Sequence, residues 1–260
     1  MRMNYFVEGL QGSGKSTLVS KLQSLHPDHQ AVREGEYSPV ELAWCAYMDE
    51  DQYPKILEKY PSLRKEIEEK TFSEGKKRII TYTRIPSEDR SFYQDLEQYE
   101  IYNNRVSFED FQSILLRRYS AWNTDGNIFE CSLFQNIIED MILFRNCSDE
   151  EILSFYQKIR DALSGKEFRI LYLKAEDIKG NLQVIRKERS DENGVEQWFP
   201  LMMQFFDNSP FAKARNISGE EALIEHFAHR QELELRICEE LFPGLITILP
   251  SKGYGDLEGI

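Results

Sequence analysis

The stretch Gly9-Leu10-Gln11-Gly12-Ser13-Gly14-Lys15-Ser16 decides the fold. It spells G-x-x-x-x-G-K-[ST], the pattern of a glycine loop that wraps a phosphate. Ahead of it runs Met3-Asn4-Tyr5-Phe6-Val7, a short apolar segment that reads as a buried strand. Behind it Leu18, Val19, Leu22 and Leu25 recur on one face at helical spacing. Strand, glycine turn and helix stand in the order such a loop requires. Gly9, Gly12 and Gly14 permit backbone conformations closed to other residues and let main-chain amides approach an anion with no Cβ in the way. Those amides and the positive end of the helix hold the phosphate. Lys15 is placed to reach the β- and γ-phosphates, and the Ser16 hydroxyl to ligate Mg²⁺. Ser13 and Thr17 complete the loop residues expected at the nucleotide.

Bulk properties set the frame. A chain of 260 residues is long enough for one α/β domain with insertions. Its 41% hydrophobic and 30% charged residues are ordinary for a protein that folds in water. A formal charge of −13 argues against a broad nucleic-acid-binding or anionic-membrane surface, while leaving room for a local basic pocket. Cys45, Cys131, Cys147 and Cys238 form no C-x-x-C pair, which predicts reduced thiols in a cytoplasmic protein. The first strand starts so close to residue 1 that no signal peptide is expected, and no apolar run reaches transmembrane length. His226 and His229 share a helix face at i, i+3; without a nearby cysteine they read as an ordinary helix surface.

Four further segments read as strands buried on both faces: Gln30-Ala31-Val32-Arg33, Asn127-Ile128-Phe129-Glu130, Phe168-Arg169-Ile170-Leu171-Tyr172-Leu173 and Leu245-Ile246-Thr247-Ile248-Leu249. Helices separate them. Ser148-Asp149-Glu150-Glu151 is a capping box opening a helix that Gly165 closes, and Ser218-Gly219-Glu220-Glu221 reads as another. This alternation predicts a three-layer fold, a five-stranded parallel sheet flanked by helices, in a single domain. Residues 50–122 exceed a minimal α/β unit and read as a helical insertion on the acceptor side. Within it residues 55–70 read as a charged helix, residues 79–85 as a strand or extended segment, and Phe108, Phe111, Leu115, Tyr119 and Trp122 as a helix stripe.

Several classes of nucleotide-binding protein are disfavoured. No N-K-x-D guanine-reading segment is present, no D-x-x-G follows an appropriate strand, and no transporter-type ATPase signature is evident. A small-molecule kinase remains. The chain resembles the thymidylate kinase and deoxynucleoside kinase group in four places: residues 9–17; Arg33-Glu34-Gly35 at the end of the second strand; Glu130-Cys131-Ser132 after the third; and Ile185-Arg186-Lys187-Glu188-Arg189 beyond the fourth, similar to the arginine-bearing LID, drawn at residues 180–200. The resemblance implies strand order 2-3-1-4-5, ATP and Mg²⁺ as cofactors, and often a homodimer. It implies that Glu34 accepts the proton of the acceptor hydroxyl, that Glu130 serves the metal and catalytic centre, and that Arg186 and Arg189 clamp the migrating phosphoryl group. Leu115-Leu116-Arg117-Arg118-Tyr119 resembles the helix that carries an acceptor-binding arginine, so either Arg117 or Arg118 can serve. Cys131 stands where the family has an arginine that contacts the acceptor, which marks a divergent member.

The residues carry a logic of their own. Phosphoryl transfer needs positioning and charge neutralisation, which Lys15, Mg²⁺ and one or two arginines supply. Carboxylates at strand ends stand in the crevice where open α/β sheets bind ligands. Arg186, Lys187 and Arg189 lie among Glu188, Asp191 and Glu192, a mixture equally at home on a solvated helix. Tyr37, Trp44 and Tyr47 can stack on a planar acceptor or pack a core. The expected activity is an ATP-dependent kinase of a small nucleoside- or nucleotide-like acceptor. The alternatives are a nucleotide-gated binding module and a kinase of an antibiotic or cofactor precursor.

Overall fold

The computed structural model describes residues 2–253. In chain order the elements are β1 (Asn4–Gly9), α1 (Lys15–Leu25), β2 (Gln30–Val32), β3 (Ala46–Asp49), α2 (Tyr53–Lys59), α3 (Arg64–Glu69), β4 (Thr71–Glu74), β5 (Lys77–Ile80), α4 (Arg90–Glu97), α5 (Phe108–Ala121), β6 (Asn127–Glu130), α6 (Gln135–Leu143), α7 (Asp149–Ala162), β7 (Phe168–Lys174), α8 (Ile178–Glu188), α9 (Trp198–Asn208), α10 (Pro210–Arg215), α11 (Gly219–Leu241) and β8 (Ile246–Pro250). They divide between two compact units, one of Met1–Ala31 with Asn123–Ile260 and one of Val32–Trp122.

The first unit is built on a five-stranded sheet in the order β2-β6-β1-β7-β8. β1 pairs in parallel with β6 on one side and β7 on the other, and β7 pairs in parallel with β8. The expected order 2-3-1-4-5 numbers five strands and so differs from the order in the full chain. In the chain's own numbering three strands of another sheet fall between the second and third of these. Every residue of β1 is buried. The apolar run Tyr5-Phe6-Val7 accounts for this, and the polar Asn4 is satisfied by donating to the Glu167 carbonyl (2.9 Å) and accepting from the Asn127 amide (2.9 Å). The stripe foreseen on α1 buries Leu18, Val19 and Leu22 against Tyr5, Val7, Ile128 and Leu171, each such side chain contributing about 1.5–3 kcal/mol. Leu25, at the end of that stripe, stays exposed.

Helix ends follow the sequence at α7, where Ser148 and Glu151 form the full capping box. At α11 they do not. Ser218 makes no side-chain cap; the Asp207 carboxylate accepts from the Gly219 amide instead (3.0 Å), and Glu220 in the first turn pairs with Arg186.

The second unit corrects the expectation of a helical insertion. It holds a three-stranded antiparallel sheet, β3-β5-β4, among its helices, and it begins at Val32, well before residue 50. Its strands are four residues each, too short for a period-2 signal to stand out. The turn between β4 and β5 is made by Gly75-Lys76, with Gly75 in the left-handed region that tight hairpins need. The charged helix expected over 55–70 is interrupted by a single 3₁₀ turn at Pro61–Leu63, because Pro61 has no amide to continue the ladder. Ile56, Tyr60, Ile67, Ile80, Phe92 and Leu96 give this unit a core of its own.

Candidate active site

The loop between β1 and α1 takes its shape from glycine. Gly9, Gly12 and Gly14 all have positive φ (136°, 77° and 98°), and Gly14 is the residue from which α1 starts. A Cβ on Gly9 would stand 2.5 Å from the Leu173 carbonyl oxygen of β7, and one on Gly12 would meet the Ile185 side chain of α8 at 2.8 Å. The loop is thus pressed against its neighbours and held there by side chains. Asn181 donates to the Gln11 carbonyl (3.0 Å), Ser251 to the Ser13 carbonyl (3.1 Å), and Arg230 to the Gln11 side-chain oxygen (2.8 Å).

The Lys15 side chain is buried and folds back over the loop, donating to the carbonyls of Gly9 (2.8 Å) and Leu10 (2.7 Å). The Ser16 hydroxyl donates to Oε1 of Glu130, which stands at the end of β6 with its side chain buried. The Ser13 hydroxyl is fully buried and has no hydrogen-bond partner among the described residues. Cys131 has φ 58°, a left-handed conformation that strains a non-glycine residue by about 1–3 kcal/mol. Contacts from three directions fix the segment it opens. The Cys131 amide donates to the Val7 carbonyl (3.2 Å), the Leu133 and Phe134 amides donate to the Glu8 carboxylate (2.7 and 3.3 Å), and the Tyr156 hydroxyl donates to the Leu133 carbonyl (2.6 Å).

Beneath the loop lies a buried charged group. Arg230, on α11, pairs with Glu139 of α6 and with Glu234 (3.0 Å), and Tyr172 donates to Glu234 (2.6 Å). Burial works to raise the Glu139 carboxyl, but Arg230 and then His226 outweigh it and hold it down at about 2. Burial pushes Glu8 up to about 8, opposed by the Leu133 amide and reinforced by Glu234. The same burial raises Glu234 above the usual carboxylate range against the pull of Arg230. His226, read from sequence as helix surface, is buried 3.3 Å from Glu139, because its face of α11 turns toward α6.

The arginines expected to clamp the phosphoryl group are engaged elsewhere. Arg186 pairs with Glu196 and Glu220 (2.9 Å each) and lies over the Phe199 ring at 3.9 Å; Arg189 lies over the Trp198 ring at 5.2 Å. Thr17 follows Ser16 in the first turn of α1 with its side chain exposed.

The remaining candidates belong to the second unit. Glu34 accepts from the indole of Trp44 (3.0 Å), and its carbonyl accepts from Arg84 (2.5 Å). Trp44 is 44% exposed, with φ 61°. Tyr37 stacks on Phe72 (4.2 Å between centroids) and donates to Glu74 (2.7 Å). Arg118 is buried, binds the Glu74 carboxylate and the Ser38 carbonyl, and lies 5.7 Å over the Tyr37 ring. Tyr37 and Arg118 therefore meet, whereas Arg117 goes to the Tyr47 hydroxyl (2.7 Å). Glu41, fully buried beside them, is raised to about 7 by burial, against the Ala43 amide and the Tyr102 hydroxyl that donate to it. The segment Ser251-Lys252-Gly253-Tyr254 follows the fifth strand of the sheet, where the resemblance to the kinase group places an adenine-contacting loop; its last residue, Tyr254, lies outside the described residues.

Sequence reasoning missed Glu8 and Arg230. Glu8 carries a signal, a lone carboxylate in an otherwise apolar strand next to the glycine loop. Arg230 carries none: with Glu234 four residues on, it reads as an ordinary surface ion pair.

No family model matches the chain, and no curated protein does. Among solved structures it is similar to a gluconokinase from Sinorhizobium meliloti 1021, at 10% identity over 97% of this chain and 86% of that one, with a TM-score of 0.33. A likeness that loose carries no argument about fold or chemistry, so the site rests on its own geometry. That geometry consists of main-chain amides at a helix start, one buried ammonium, and a hydroxyl bonded to a carboxylate.

Proposed function

We propose that the protein is an ATP-dependent phosphotransferase of a small-molecule acceptor, nucleoside- or nucleotide-like. The observation that carries the reading is the meeting of Ser16 and Glu130 at the start of α1, beneath a glycine loop over which Lys15 is folded. A hydroxyl from the first turn of α1 and a carboxylate from the end of β6 form the oxygen pair that Mg²⁺ takes when it also holds phosphate. The buried, unpartnered Ser13 hydroxyl and the crowding at Gly9 and Gly12 fit a loop whose backbone, not its side chains, meets the ligand.

In this reading the loop amides from Gly12 to Ser16 cradle the β-phosphate. Lys15, on leaving the Gly9 and Leu10 carbonyls, would donate to phosphate oxygens and neutralise their charge. Ser16 and Glu130 would hold Mg²⁺, which when bound neutralises charge on the transferred phosphoryl group. Arg186 and Arg189 are proposed to join that charge, Arg186 by leaving Glu196 and Glu220. Glu34 is proposed as the proton acceptor for the acceptor hydroxyl, with Tyr37 and Arg118 or Arg117 on the acceptor. Location in the cytoplasm, a homodimer, and the absence of nucleic-acid and membrane partners belong to the same proposal.

The test is acceptor-dependent ADP release with Mg²⁺ over a panel of nucleosides, nucleoside monophosphates, sugars and aminoglycosides. The reading expects at least one acceptor to raise release above the enzyme-alone rate, and Lys15→Ala to lower that rate by about a hundredfold or more, the scale of removing one preorganised charge. No acceptor-dependent release from any class would refute it.

A further inference from the structure

The geometry points to Glu8 as a positioning residue that aims Glu130 at the metal held by Ser16. The inference rests on the reading of Ser16 and Glu130 as ligands of Mg²⁺. Glu8 is fully buried at the end of β1, one residue before the loop. Both its oxygens accept from main-chain amides, those of Leu133 and Phe134, and Phe134 is the residue from which α6 begins. A buried carboxyl group that accepts from two amides at a helix start is a firm anchor, since those amides have no partner within the helix and would be costly to leave unmet. What it anchors is the turn that follows Glu130. That turn passes through Cys131 in a left-handed conformation, which a side-chain-bearing residue keeps only where its surroundings over-determine it. The Val7 carbonyl, the Tyr156 hydroxyl and the Asn136 side chain, which donates to the Cys131 carbonyl (3.4 Å), hold other points of the turn; Glu8 holds the Leu133 and Phe134 amides. Glu8 thus acts on the metal through Glu130 without touching it, as outer residues orient ligands at other metal centres.

The test compares wild type with Glu8→Gln, which keeps one acceptor oxygen but turns an amide toward a backbone amide. ATP affinity is measured by calorimetry in EDTA and again with Mg²⁺, and a crystal structure of each protein is solved. The expected result is unchanged affinity in EDTA, a Mg²⁺-dependent gain reduced by about 10- to 100-fold, and a Glu130 carboxylate withdrawn from the Ser16 hydroxyl. A Mg²⁺-dependent gain of wild-type size overturns the inference. So does an equal loss with and without Mg²⁺, because that marks damage to the loop itself. If wild type binds no nucleotide, the proposed function fails, and the crystal structures decide the inference alone: Glu130 displaced in Glu8→Gln upholds it, and Glu130 unmoved overturns it. Should Glu8→Gln not fold, Glu8→Asp, one methylene shorter with both oxygens kept, is read the same way.

Discussion

Gly9 ties the loop to the sheet more tightly than its motif position requires. With φ at 136° and the Leu173 carbonyl 2.5 Å from where a Cβ would stand, alanine is excluded twice, by backbone strain and by contact with an atom that cannot turn aside. Gly9→Ala should therefore destabilise the protein by about 1–3 kcal/mol in urea unfolding. A stability equal to wild type would mean that the β1 end moves freely away from β7. The motif foretold a glycine here, but not the reason. Sequence shows that the chain must bend, and only the partner strand shows what it bends against. Glu8 teaches the same lesson in reverse, since its charge was visible and its two amide partners, 125 and 126 residues away, were not.

Among elements, caps were legible where both partners are local and illegible where one is distant. The α7 capping box was written in Ser148 and Glu151 and formed as read; Ser148→Ala should lower stability by about 1 kcal/mol, measured by chemical denaturation. The cap of α11 came from Asp207, in another helix, and no local pattern announces it. The contact of α6 with α11 sets a pH dependence. The Glu139 carboxyl, near 4.5 when unfolded, falls to about 2 when folded, with burial opposing and Arg230 and His226 prevailing. A depressed carboxylate adds stability that is complete above its unfolded value and lost as pH falls through the folded one. Wild type should thus lose, between about pH 4.5 and pH 2, a contribution of a few kcal/mol at most, and Glu139→Gln should lack that part of the slope. Parallel pH profiles for the two proteins would contradict the pairing. Of the second unit's strands, β5 was partly foreseen by the reading of residues 79–85 (Tyr82–Arg84 forms a 3₁₀ turn instead), while β3 and β4 were hidden because four residues hold only two periods of the alternation that identifies a strand.

At the scale of the whole molecule, the order of elements in the first unit followed from one motif and four apolar runs, because a parallel sheet buries its strands on both faces and writes them plainly. The size and character of the second unit did not follow, since its sheet is antiparallel, small and partly exposed. With a net charge of −13, the proposed binding of a polyanion would depend on the local positive field of Lys15 and the loop amides. The central claim is that this loop grips the phosphates of a nucleoside triphosphate. Calorimetric titration of the full chain with ATP in Mg²⁺ tests it most directly. The account predicts one saturable site per chain, absent in Lys15→Ala although that variant keeps the wild-type circular dichroism spectrum. No binding of any nucleoside triphosphate by wild type, or equal binding by Lys15→Ala, would contradict it.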